Sequence, residues 1–258
     1  MTYPLQTRLP FTPEELRLGE RLPGVRPMAR ADWLQVDEAY AGQIARRDAL
    51  LAEREGAVHA MQPEALPACR ELQAEVLAQL AELPGFDLRA DGKVRRPDGQ
   101  VIAPDREAPL RFLGRLLQED LVILEQCGAE HVMTAAVLCF PASWTLSEKI
   151  GRPLTAIHTP VAAYDAQLAR RVQRMFDVIR PEQPLCRHNL LFYKSPELHA
   201  PRSEGEPHRD SDPGFPFVRS ERQCLLRLPK TQAVVFSIHT YMLARTDLTE
   251  AQGAVILG

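Results

Sequence analysis

An α+β fold is what the sequence predicts: an antiparallel sheet with a helical crossover, preceded by an N-terminal helical extension. Three observations predict it. Residues 1–107 hold two long stretches of helical spacing, the second half holds five apolar runs of strand length, and a helix-patterned segment separates the second run from the third. A chain of 258 residues suits one large domain or two small ones. The division expected is an arm, helices and a small hairpin over 1–107, and a sheet core over 108–258.

Residues 1–29 are rich in Pro and Arg and read as an arm along a surface. Within it, Thr12-Pro13-Glu14-Glu15 has the form of a helix start: a cap, a proline at the first position, and acids on the positive end of the dipole. Asp32 to Glu55 places Trp33, Val36, Tyr40, Ile44 and Leu51 near one stripe, and Pro63 to Leu83 does the same with Leu66, Leu72, Val76, Leu77 and Leu80 until Pro84-Gly85 stops it. Asp91-Gly92 and Asp98-Gly99 are turn signals between short alternating runs, which predicts a small hairpin or two over Phe86 to Ala103. Ala108 to Leu117 is a short helix, and the Gln118-Glu119-Asp120 that follows reads as capping and surface charge.

Leu121 to Gln126 and Val132 to Phe140 read as two strands around a turn at Gly128. Ser143 to Ile179 reads as several short helices, the last from about Pro160. Three strands follow: Arg187 to Lys194, Glu221 to Leu228 and Ala233 to Leu243. Ser195 to Val218, full of Pro, Gly, Ser and charge, is a long excursion between the first two of them. Two strands, a helical crossover and three strands match a PAS-type core, a sheet cupping a ligand against its helices.

Composition narrows the function classes. Hydrophobic residues at 45% and charged residues at 25% describe a globular chain, and a net charge of −3 provides no basic field for nucleic acid. There is no uninterrupted apolar run of membrane-spanning length, and Met1 to Pro10 lacks the apolar core of a secretory signal. The five cysteines are scattered with no CxxC pair, which disfavours a thiolate metal site and fits reduced thiols in a cytoplasmic protein. There is no P-loop, Rossmann glycine signature or nucleophile elbow.

His158 is the leading candidate for chemistry. It sits at a helix mouth between Ile157 and Val161, with Lys149 and Arg152 just before it as cations for the carboxylates of a cofactor. Neutral imidazole is the usual proximal ligand of haem iron. In the strand Glu221 to Leu228 the greasier face is Cys224, Leu226 and Leu228, which aims Arg222 inward, where an arginine needs an anion or polar ligand. In the last strand Val234, Phe236, Ile238, Thr240 and Met242 form the greasier face. Arg187, His188, Asn189 and Tyr193 are further candidates for a pocket wall. His208-Arg209-Asp210 with His239 spells a His-x-Asp…His facial triad, the basis of a non-haem iron oxygenase alternative. Arg170, Arg171 and Arg174 read as a solvated helix face, or a dock for an acidic partner.

Leu117-Gln-Glu-Asp-Leu121, Cys139-Phe-Pro-Ala-Ser-Trp144, Glu148-Lys-Ile-Gly151, Ile157-His-Thr-Pro-Val161, Arg187-His-Asn189 and Glu221 to Lys230 (ERQCLLRLPK) together resemble the α subunit of haem-dependent oxidative N-demethylase and its relatives. The resemblance implies a PAS-like fold binding haem b, and an oxidase that converts dimethylamine and O2 to methylamine and formaldehyde. It also implies electrons from NADPH through partner subunits carrying FMN and a [2Fe–2S] cluster. By position it makes His158 the axial histidine and iron ligand, Arg222 the catalytic group polarising O2, and Lys149 and Arg152 the propionate partners. The chain departs from the family pattern at Ala162, Leu190 and His239, where Pro, Trp and Arg are usual, which leaves open a haem-binding or gas-sensing protein without turnover.

Overall fold

The computed structural model describes residues 3–19, 23–158, 166–207 and 211–256. Its organising element is a seven-stranded antiparallel sheet, whose strands are β1 (Arg26–Pro27), β2 (His59–Met61), β6 (Asp120–Cys127), β7 (Glu130–Val137), β8 (Leu185–Tyr193), β9 (Phe217–Arg227) and β10 (Val234–Ala244). They lie in the order β1-β8-β9-β10-β6-β7-β2. A separate three-stranded sheet is formed by β3 (Asp87–Leu88), β4 (Val94–Arg95) and β5 (Val101–Ile102). Gly92 and Gly99 take φ of 82° and 84° in its two turns, a conformation that costs a Cβ-bearing residue more.

Sequence dictates several of the element ends. α1 (Pro13–Gly19) opens with the reciprocal capping its sequence spells: the Glu15 amide donates to Thr12 Oγ1 at 3.2 Å, and the Thr12 amide donates to the Glu15 carboxylate at 2.8 Å. α8 (Glu250–Ile256) repeats the device with Thr249 and Gln252. α2 (Tyr40–Glu53), α3 (Glu55–Val58), α4 (Leu66–Leu80) and α5 (Pro109–Gly114) precede the long strands, while α6 (Leu154–His158) and α7 (Ala166–Val178) make the crossover from β7 to β8. The crossover helix expected from Pro160 is present from Ala166, and residues 159–165 lie outside the described residues.

Both faces of the central strands are covered. On one face Leu121, Ile123, Ala135, Val137, Cys224, Leu226 and Val235 pack with Leu50 and Leu51 of α2, Leu72 and Val76 of α4, and Leu110 and Leu113 of α5. On the other, Val122, Leu124, Ala136, Leu225 and Val234 pack with Leu154 of α6 and Phe176 of α7. The two sets alternate along each strand, as the pleat requires. One exception rephases β7: Ile123 pairs with Ala135 but Leu124 pairs with Met133, so Thr134 is the extra residue of a β-bulge and Met133 joins the α7 side. Because β1 and β2 complete the sheet and α2 and α4 complete its core, the expected division at residue 107 passes through both.

Gln118-Glu119-Asp120 departs from its sequence reading. All three are buried. Asp120 accepts from Arg47 Nη1 at 2.7 Å and from the amides of Cys139 and Phe140 at 2.7 and 2.9 Å, tying α2 and the end of β7 to the start of β6. A buried carboxylate with one cation and two amide donors meets the requirement that buried charge be paired and hydrogen-bonded. None of these partners is adjacent in sequence, so a polar triplet at a helix end looked like surface.

Candidate functional site

A cavity of about 460 Å3 lies between the sheet and the crossover helices, within the range of small-molecule and cofactor pockets. Its floor is the α7-facing side of the sheet: Val122 and Leu124 from β6, Met133 from β7, Leu225 from β9, Phe236 and Ile238 from β10. Its roof is Leu168, Val172, Met175 and Phe176 of α7, at the three- and four-residue spacing that keeps one helix face inward. Polar groups gather at the ends: His158, Lys149, Glu148, Arg202 and Glu204 at one, Arg187, Glu221 and Gln223 also on the wall.

His158 is the last residue of α6, and its Nδ1 lies 2.8 Å from the carbonyl oxygen of Leu154, one turn back. A carbonyl only accepts, so Nδ1 carries the proton and the ring lone pair belongs to Nε2. Burial pushes the imidazole below its ordinary pKa; the Leu154 bond opposes this and the Lys149 charge adds to it. The ring is neutral at pH 7, with its tautomer set by the Leu154 carbonyl.

A family model described as haem-dependent oxidative N-demethylase, alpha subunit-like, matches residues 24–256. The chain belongs to that family. Haem is in the family's name, and the cavity's donor set fits such a group: a mostly apolar wall, one neutral imidazole on a short helix, and arginines for carboxylates.

The residues predicted for the site are only partly brought together. His158 and Lys149 line the cavity; Arg152 is not among its lining residues. Both cations converge on one carboxylate: Lys149 Nζ donates to Glu204 at 2.5 Å and to the Ile157 carbonyl at 2.7 Å, and Arg152 Nη1 donates to the same Glu204 oxygen at 3.1 Å. Lys149 and Arg152 are thus committed to the excursion between β8 and β9 rather than presented to a ligand. Two arginines that were not assigned to a cofactor do line the cavity, Arg187 and Arg202. Arg202 comes from that same excursion, and its Nε is buried without a hydrogen-bond partner among the described residues.

Arg222 corrects the sequence reading. It points to the opposite face of the sheet, where its guanidinium donates to the carbonyls of Trp33 at 2.8 Å and Asp32 at 2.7 Å. The reason is register. Phe236 pairs with Leu225 and Ser237 with Cys224, and directly opposed residues share a face. The apolar face of β10 bearing Phe236 therefore coincides with Glu221, Gln223 and Leu225 of β9, not with Arg222, Cys224 and Leu226.

The facial-triad alternative is divided as well. His208 and Asp210 lie outside the described residues. His239 faces away from the cavity, with Nδ1 3.1 Å from Glu119 and Nε2 3.1 Å from Asp37. Burial alone would lower its pKa, but the hydrogen bonds and charges of Asp37 and Glu119 outweigh that and raise it to about 9. With both nitrogens protonated, His239 is a cation between two carboxylates. Among the other strand residues, His188 stacks on Phe11 on the Arg222 side, Asn189 donates to Glu221 at 2.9 Å, and Tyr193 lies under the Arg219 guanidinium at 5.7 Å. The polar pair of Glu221 and Gln223 on the wall was not singled out from sequence; the turn of β9 relative to β10 was the missing information.

Proposed function

We propose that this chain binds haem b in the cavity under α7 through His158, and acts as the haem subunit of an O2-dependent oxidative N-demethylation of a small, dimethylamine-like amine. Electrons would arrive from a partner reductase bearing FMN and [2Fe–2S] and drawing on NADPH. The observation that carries the reading is His158: a neutral, oriented imidazole on the wall of a mostly apolar cavity in a member of a haem-named family. The strand order β7-β6-β10-β9-β8, with the helical crossover laid over the cavity face, supports describing the core as PAS-like. Five cysteines without a disulfide support a reducing, cytoplasmic setting.

Iron porphyrin supplies the redox chemistry with O2 that side chains lack. The protein's part follows from its residues. His158, its ring oriented by the Leu154 carbonyl, would be the residue that holds the haem iron. Val122, Leu124, Phe176, Leu225 and Phe236 exclude water from the macrocycle's space, which strengthens every charge interaction there. Arg187 and Arg202, which line the cavity, would take the propionates, and Lys149 would join them if Glu204 released it.

The test is an absorption spectrum of the protein reconstituted with haemin. A Soret band is expected in the wild-type chain and is lost or strongly shifted in His158→Ala with the fold retained by circular dichroism. An unchanged band in that variant removes His158 as ligand. Amine-dependent O2 uptake with a reductase and NADPH then separates turnover from haem binding alone.

A further inference from the structure

Surface cations on this chain are commonly matched. Arg30, Arg46, Arg70, Lys93, Arg95 and Arg111 each lie 2.7–3.4 Å from a carboxylate. The outer face of α7 is different. Arg170, Arg171 and Arg174 are exposed there, and none of them makes a hydrogen bond or ion pair with a described residue. Arg174 stands four residues after Arg170 and three after Arg171, so the side chains are neighbours, and like charges so placed destabilise a helix. Asp177, the one acid in the sequence of α7, accepts from Gln173 at 2.9 Å instead of neutralising Arg174. Three unneutralised cations thus stand together on a chain whose net charge is −3.

The same helix is the roof of the cavity. Val172 and Met175, which line it, are the chain neighbours of Arg171 and Arg174. What separates the cationic face from the cavity is therefore a single helix, about 10–12 Å across with its side chains. Val178 lies on the stripe of Arg171 and Arg174, seven and four residues on. At 67% it is the most exposed large apolar side chain among the described residues, the next being Tyr3 at 40%. An apolar spot among arginines has the composition of a protein-docking patch. Three cations on one helix, in a chain without a basic field, are too few for a nucleic-acid footprint.

We propose that the outer face of α7 docks an acidic electron-carrier protein, whose carboxylates pair with Arg170, Arg171 and Arg174, and that electrons reach the cavity through this roof. Each encounter takes one electron from the carrier and leaves ferric haem ferrous, with no bond made or broken. The electron entry rests on the haem reading given above; the docking does not. Charge steering of this kind acts on the rate of encounter more than on affinity, and salt screens it.

Stopped-flow reduction of the ferric, haem-reconstituted protein by a reduced acidic [2Fe–2S] ferredoxin tests this, without oxygen and at low and high ionic strength. Wild type is expected to react faster at low salt. The triple variant Arg170→Glu, Arg171→Glu, Arg174→Glu should react about 10- to 100-fold more slowly at low salt and lose the salt dependence. Gln at the same three positions should give an intermediate rate. A control with Arg70→Glu, Arg89→Glu and Arg95→Glu reaches the same net charge through α4 and the three-stranded sheet, and should stay close to wild type. Reduction by dithionite should be the same in both Glu variants.

Equal slowing by ferredoxin in the two Glu variants overturns the proposal, because net charge and not the α7 face would then set the rate. A wild-type rate in the α7 variant overturns it too, as does a wild type that ferredoxin neither binds nor reduces. Phosphatidylglycerol vesicles that bind wild type but not the α7 variant, with ferredoxin reduction equal in both, would assign the patch to a membrane surface instead. If no Soret band forms, calorimetric titration of the apoprotein with ferredoxin at low salt still reads the docking. Binding lost in the α7 variant and kept in the control would then fail the haem reading and leave the docking face standing.

Discussion

His239 shows how much a single residue's chemistry depends on what faces it. In sequence it is a metal-ligand candidate; in the fold it is a buried imidazolium donating to Asp37 and Glu119. Asp37 answers in kind: burial would raise its pKa, but the His239 hydrogen bond and charge, with Gln118 and Gln6, hold it at about 2. The signs give a stability window. A histidine raised from 6.5 to about 9 contributes fully below 6.5 and loses its contribution as pH rises through about 9. A carboxylate lowered from 3.8 to about 2 contributes above 3.8 and loses it as pH falls through about 2. The wild-type melting temperature should therefore decline from pH 6.5 to 9. His239→Gln leaves two carboxylates without their cation, which costs about 3–5 kcal/mol at neutral pH, on the order of 10 °C, and should flatten that decline. Thermal melts across this pH range check it; an unaltered slope would show that His239 does not carry the dependence. The partners of His239 come from residues 37 and 119, over a hundred positions away, and no local pattern in the sequence could announce them.

At the scale of elements, the sequence was most legible where periodicity and turns speak together. The run around Gly128 became β6 and β7 with that glycine at a φ of 62°, and the helix over Pro63 to Leu83 became α4 after one tight turn. What periodicity could not say is which face of the sheet is hollow. β9 and β10 are buried on both faces, so the greasier side does not identify the cavity, and Arg222, read from sequence as facing the pocket, lies on the packed side. The packed side is tight. A Cβ added at Gly114, the last residue of α5, would fall 2.6 Å from Val137 Cγ2 of β7 and 3.3 Å from Leu51 Cδ1 of α2. Gly114→Ala should cost about 1–3 kcal/mol by overpacking, and adding Val137→Ala should recover part of the loss. Chemical denaturation of the single and double variants measures the coupling; strictly additive losses would mean that the two sites do not touch.

For the whole molecule, the division at residue 107 makes the clearest prediction. The helical extension supplies α2 and α4, whose Leu50, Leu51, Leu72 and Val76 cover, together with α5, one face of the sheet. A fragment of residues 108–258 keeps most of the cavity lining but loses α2 and α4 from the other face, exposing an apolar area beyond what a soluble monomer leaves open. It should bind a hydrophobic dye and lack a cooperative thermal transition. A fragment that melts cooperatively would make the core independent of its extension. Among the described residues no helix is long and apolar enough to cross a membrane. The resemblance of six short strings located the family, while two further cations on the cavity wall, Arg187 and Arg202, are set there by strand register and by a loop that returns from far along the chain.

The supernumerary Thr134 divides its strand into two stretches of opposite parity. Odd-numbered side chains before it, His131 and Met133, and even-numbered ones after it, Ala136, share one side with α7. Two neighbours in sequence, Met133 and Ala135, thus inhabit different compartments although only one residue separates them. That single offset lets the strand lend a flexible thioether to the hollow side.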